Sequence, residues 1–165
     1  LQYRYGLSGK AYQYLASGTF YLPGLFQTHS LVLNAAYQRR DTLGYYTYSN
    51  GFPISRGYQL INYPQMWKLG ANYHFPILYP DKGWANIVYL LRLRGNVFYD
   101  HSQLRSLRYQ QNYLLRSAGA ELYFDTQWWN QLPLTLGVRY SYMVDHHLMG
   151  TGASRWEVIL PVSIF

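Results

Sequence analysis

Four groupings in the 165-residue chain have the residue types that chemistry needs. Asp145-His146-His147 offers metal-ligating atoms, but adjacent ligands in a loop, with no third partner, read as polar loop residues. Glu121 and Asp125 fall on one side of an alternating segment; arginines on that side give them a charge-balancing role rather than acid/base work. Ser, His and Asp recur throughout, yet no Gly-x-Ser-x-Gly elbow or other nucleophile setting is present. Cysteine is absent, so neither a thiolate metal site nor a disulfide can form. The expectation is therefore no catalytic residue, no metal, no cofactor and no enzyme activity. The fourth grouping is of another kind. Arg56 offers a planar donor fork suited to a carboxylate, and Gly57 after it lets a loop tip turn tightly, with Tyr58 next. Phe98 and Asp100 stand on an alternating segment further along, Asp100 on the parity of Arg92, Arg94 and Asn96. The chemistry on offer is an anchored loop.

The elements that must position this pair are strands. Along residues 66–78 the odd positions Trp67, Leu69, Ala71, Tyr73, Phe75 and Ile77 are apolar, with Lys68, Gly70, Asn72, His74 and Pro76 between them. Alternation over a dozen residues exceeds a typical globular strand and suits one crossing a membrane at a tilt, which needs roughly 9–11 residues. The same pattern predicts strands over residues 86–100, 112–127, 134–145 and 155–165. Residues 30–40 fit as well, and residues 2–15 more loosely. This gives seven strands. Within residues 112–127, Arg116 is an exception, a charge on the oily face.

Composition agrees. The chain has 20 Tyr, 7 Phe and 5 Trp but only 13% charged residues, which excludes a disordered chain and is half the charge of a typical soluble domain. The longest stretch free of charge, residues 11–38, is broken by Pro23, glycines and amides, so it is no membrane helix. Connections alternate between shorter and longer, and aromatics gather at strand ends: Phe20, Tyr21, Tyr79, Trp84, Trp128 and Trp129 at one rim, Tyr45, Tyr46, Tyr48, Tyr109 and Tyr113 at the other. Both are marks of outer-membrane β-barrels. The +7 net charge then belongs to a basic lumen and rim loops; no base-stacking or groove-reading motif accompanies it, so no nucleic-acid partner is expected. Seven strands from the short-turn rim put Leu1 at the outer rim. Bacterial single-chain barrels have even strand numbers, which predicts missing N-terminal strands or a wall supplied by another chain or copy. The competing count places two short strands in residues 2–26 and closes an eight-stranded barrel.

Phe52-Pro53-Ile54-Ser55-Arg56-Gly57-Tyr58, followed by five strands and a terminal Phe, together with Phe98-Tyr99-Asp100-His101-Ser102, resembles the BamA-type (bacterial surface antigen) superfamily. There a long loop before the last five strands carries an aliphatic-Arg-Gly-aromatic motif and folds into the lumen. Its Arg pairs with the Asp of a strand motif two strands on. Ser55 departs from the aliphatic position and Ser102 from a glycine. Tyr73-His74-Phe75-Pro76 is similar to the family's strand ending in Phe-Pro.

The resemblance implies that residues 1–165 are the C-terminal portion of an all-β, antiparallel transmembrane barrel of about sixteen strands, with an inward loop at about 41–64 and any periplasmic domains absent. It implies insertion of outer-membrane proteins or polypeptide translocation at the bacterial outer membrane. The partners would be outer-membrane lipid and lipopolysaccharide, unfolded outer-membrane or secreted polypeptides, and other envelope subunits. The last strand, with Trp156, Val158, Leu160 and Pro161, would border a weak seam, and Ile164-Phe165 would be the terminal assembly signal. The alternatives are a passive pore or small-molecule uptake barrel, and a barrel anchoring a fused enzyme or propeller domain.

Overall fold

A computed structural model describes residues 1–5, 12–41, 50–59, 62–85, 87–106, 111–148 and 152–160. The regular elements are strands β1 (Gln2–Tyr5), β2 (Tyr12–Pro23), β3 (Ser30–Arg40), β4 (Gln65–Leu78), β5 (Lys82–Trp84), β6 (Val88–Ser106), β7 (Gln111–Trp128), β8 (Leu132–Met143) and β9 (Ser154–Ile159), plus one 3₁₀ turn at His146–Leu148. They form a single antiparallel sheet in the order β1-β2-β3-β4-β6-β7-β8-β9, with β5 folded back on β6. β1 and β9 are not paired with each other among the described residues, so the sheet is not closed.

The strand count corrects the expected seven. Residues 2–5 and 12–15 belong to two strands, β1 and β2, paired from Gln2↔Leu15 to Tyr5↔Tyr12. β2 continues through residues expected to form a connection, laddering with β3 from Gln13↔Arg40 to Pro23↔Ser30. Its alternation is faint because Ala16, Ser17 and Gly18 carry little hydropathic contrast; pairing to β3 sets the strand. β6 likewise runs past Asp100 to Ser106, where Gln103 and Arg105 break the oily pattern without breaking the ladder.

Residues directly opposite share a face and successive residues alternate, so the pairing register assigns each side chain to a side. One face carries Lys68, Arg92, Arg94, Asp100, Glu121, Asp125, Arg139, Arg155 and Glu157, together with Asn34, Asn72, Asn96, Ser102, Ser117 and Ser141. The opposite face of β2–β4 and β6–β9 is apolar over most of its height. Its only Asp, Glu, Lys or Arg residues among those described are Arg39, Arg105 and Arg116, all toward the end with the longer connections. Of the aromatics expected at that end, Tyr113 lies on the charged face opposite Leu104, its ring 5.5 Å from Tyr63. Tyr45, Tyr46, Tyr48 and Tyr109 fall outside the described residues. At the other end Phe20, Tyr21, Tyr79, Trp84 and Trp129 are exposed.

Close approach fixes two glycines on the charged face. A Cβ at Gly119 would stand 2.0 Å from the Tyr140 carbonyl oxygen and 2.7 Å from the Phe98 ring. One at Gly70 would stand 2.8 Å from an Asp100 carboxylate oxygen. The Tyr140 contact is with backbone and cannot be relieved by a rotamer. Gly119→Ala is therefore expected to destabilise the fold by about 3 kcal/mol, whereas Gly18→Ala, whose Cβ would meet only Phe20 at 3.9 Å, should be neutral or stabilising by about 0.5–1 kcal/mol. Equilibrium unfolding of the two variants checks the contrast.

Candidate functional site

Residues 50–59 lie on the charged face and bury side chains against it. Phe52 and Tyr58 join Leu15, Ala36, Met66, Leu104, Leu115 and Met143 in an apolar layer toward the long-connection end. The Phe52 backbone N–H is taken by the Asn50 side chain at 3.1 Å. The layer gives the loop a reason to fold inward, since these side chains are nearly all removed from solvent.

The polar contacts then fix its position. Arg56 donates from Nε to Asp100 Oδ2 at 2.8 Å and from Nη2 to Oδ1 at 3.0 Å, while its backbone N–H donates to Oδ2 at 3.0 Å. Its third nitrogen, Nη1, reaches Glu121 Oε1 at 3.2 Å. The guanidinium carbon sits 3.6 Å from the Phe98 ring centroid, a cation–π contact. The Phe98 ring is itself laid over Gly119. Asp100 is 1% exposed and would be costly to bury alone; Lys68 Nζ adds a second cation at 3.3 Å and also donates to the Ile54 carbonyl at 3.0 Å. The structure thus brings Arg56, Gly57, Tyr58, Phe98 and Asp100 into one cluster.

Gly57 has φ of 88°, and a Cβ there would lie 3.1 Å from Ser141 Cβ and 3.2 Å from Met143 Cγ. Both the backbone conformation and the space demand glycine. Its carbonyl accepts from Arg155 Nη1 at 3.3 Å, so the loop tip also touches β9. Of the seam residues, Trp156 and Val158 point to the opposite face, Trp156 against Tyr140 at 4.8 Å, and Leu160 is exposed. Pro161, Ile164 and Phe165 lie outside the described residues.

Several partners escape sequence reasoning. The two departures from the loop and strand motifs meet each other: Ser55 Oγ and Ser102 Oγ are 2.7 Å apart, both fully buried. Ser55 gives its single proton to the Leu115 carbonyl at 2.8 Å, so Ser102 donates to Ser55. Tyr58 donates to the Arg116 carbonyl at 2.9 Å and accepts from the Asp145 N–H at 3.1 Å. The Asp145 carboxylate takes Arg116 through Nη2 at 2.8 Å, Nε at 3.0 Å and backbone N–H at 3.0 Å. This accounts for the charge that Arg116 places on an oily face, and engages the acid of the Asp-His-His run. Glu121 holds Arg139 at 2.5 Å and accepts from Asn96 and Tyr123, while Asp125 holds both Arg92 and Arg94. Each acid of the charged face is thus bound to a basic side chain.

Comparison with protein-family models, with curated proteins and with solved structures finds no match. What the arrangement can do must come from the geometry.

Arg56→Glu removes one partner of a buried pair and adds a like charge beside Asp100. It should destabilise the docked loop by about 3 kcal/mol, the lower part of the range for such pairs, because Lys68 remains. Limited proteolysis should then cut within residues 50–59 at least about tenfold faster. The exchange Arg56→Asp with Asp100→Arg should not restore protection fully, because the backbone N–H of residue 56 would lose its carboxylate. The hydrogen bonds from Arg116 hold the Asp145 carboxyl below its ordinary range. A carboxyl depressed by folding contributes stability that is complete above its unfolded value, about pH 4, and is lost as pH falls through the lowered folded value. Thermal unfolding of Asp145→Asn should accordingly change less between pH 6 and pH 3 than that of the parent protein.

Proposed function

We propose that this chain is part of an outer-membrane β-barrel of the BamA-like superfamily, acting in insertion of outer-membrane proteins or in polypeptide translocation across the outer membrane. The observation that carries the reading is the inward loop: Arg56 is clamped to Asp100 on one face of the sheet, while the other face has no charge through the middle of its strands. A soluble sheet with an apolar face this tall would cover it with a second layer. Here that face exposes Leu69, Val97, Tyr99, Val138 and Val158. Lipid supplies the missing layer, and the charged face with its loop becomes the lumen wall. An arginine or lysine at mid-height on the lipid side costs about 2–4 kcal/mol and nearer zero at the interface, which matches where Arg39, Arg105 and Arg116 stand.

Within this reading the edge strand β9 gives the function its means. It is bound to β8 from Gly137↔Ile159 to Tyr142↔Ser154. Its inward side chains are tied by Arg155 to the loop and by Glu157 to Arg139. Its other main-chain edge, unpaired among the described residues, would template an incoming strand. The passive-pore alternative draws on the half-exposed Arg92 and Arg155 of the charged face, which would favour anions; the docked loop narrows the same lumen.

Two measurements test the proposal. Because the native chain lacks cysteine, a single Cys at Val158 gives a clean crosslinking probe in cells. It is expected to capture unfolded outer-membrane polypeptides, and the capture should fall severalfold with Arg56→Glu. In planar bilayers the protein should show only small, flickering conductance; a large steady anion-selective conductance with no crosslinked polypeptide would replace assembly by the pore.

A further inference from the structure

The apolar face holds a feature that the loop and lumen do not use. Between β2, β3, β4 and β6, small side chains at Ala35 and Ala71 leave a hollow of about 580 Å³ walled by Phe20, Leu33, Trp67, Leu69, Tyr99 and His101. A second hollow of about 340 Å³ adjoins it along Ala16, Tyr37 and Trp67. Their linings are almost wholly apolar. The wall toward the long-connection end is braced: Trp67 Nε1 donates to Gln103 Oε1 at 2.9 Å, its ring lies 5.1 Å from His101, and Gln65 Nε2 donates to the Tyr37 hydroxyl at 3.4 Å.

Directly beyond that wall, one cross-strand row runs Tyr14–Arg39–Gln65–Arg105–Asn112. Arg39 and Arg105 are exposed. Neither forms an ion pair among the described residues, which include every Asp and Glu of the chain. Two strand spacings separate them, about 10 Å at the backbone, within joint reach of one anionic group by two arginine side chains. The other charge of this face, Arg116, is already satisfied by Asp145. Guanidinium forks that lack carboxylates and stand over an apolar hollow match a ligand with a phosphate at one end and hydrocarbon at the other.

We infer that this face of β3, β4 and β6 is a binding site for a membrane lipid whose phosphate headgroup carries net negative charge, its phosphate held between Arg39 and Arg105 and an acyl chain laid in the hollow past Trp67. The inference rests on the membrane reading above and adds to it a defined lipid position.

The test uses the whole protein in phosphatidylcholine bilayers, into which brominated-chain phosphatidylglycerol or brominated-chain phosphatidylcholine is titrated. Bromine quenches tryptophan on contact, and the Trp67 contribution is the difference between the parent and Trp67→Phe. The expected result is a roughly tenfold preference for phosphatidylglycerol at Trp67 in low salt. The preference should fall to about one in the Arg39→Gln/Arg105→Gln variant and persist when both are lysine. Ala71→Phe, which fills the hollow, should lower quenching by both lipids. Equal quenching by the two lipids, or a preference that survives the double glutamine change, overturns the site and leaves the membrane reading standing. Absence of quenching at Trp67 and at Trp156 by either lipid overturns both.

Discussion

Asp100 is the constraint to which the rest of the site answers. A carboxylate buried in the middle of a sheet face is tolerable only with cations and donors around it. Lys68 on the neighbouring strand supplies one cation, and Gly70 opposite Asp100 leaves the space its oxygens occupy. The remaining donors come from a connection rather than from the wall: the guanidinium and backbone N–H of Arg56. The loop therefore completes the sheet electrostatically as well as sterically. Phe98 and Gly119 follow from the same demand, the ring lying under the guanidinium and the glycine leaving room for the ring.

Around this point the charged face forms one connected lattice. Glu121 links Arg56 to Arg139, and Glu157 continues from Arg139 to Arg155, which returns to the loop tip at Gly57. The lattice crosses β6, β7, β8 and β9 and closes on the loop, so movement of the loop tip and of β9 are mechanically tied. Among the described residues the opposite face has no comparable lattice; its order comes from aromatic packing and from the strand ladder beneath.

The all-β, antiparallel character of the fold was legible in the sequence because hydropathic alternation at period two is strong wherever one face is apolar and the other charged, as in residues 66–78. It failed where side chains are small, at residues 16–18, and where polar residues occupy the apolar face, at Gln103 and Arg105. There the neighbouring strand defines the element, and no single segment carries that information. The nearness of Arg56 and Asp100 was implied by the resemblance of their two motifs, with parity placing Asp100 on the charged face. The Tyr58–Arg116–Asp145 knot could not, because three of its contacts run through backbone groups, which every residue possesses. Its one outward sign was an arginine on the wrong parity. Tyr113 misled for a related reason: an aromatic near a strand end looks the same whether it faces outward or packs on the loop.

The two buried serines bear on how such a chain changes over generations. Ser102 spends its proton on Ser55, and Ser55 spends its own on a main-chain carbonyl. Replacing either one alone strands a hydroxyl or a carbonyl in a dry interior, at about 1–3 kcal/mol, whereas an aliphatic side chain facing a glycine needs no proton at all. The two solutions are separated by an unfavourable intermediate, so drift between them proceeds by paired replacement, and descendants of one ancestor should carry both hydroxyls or neither.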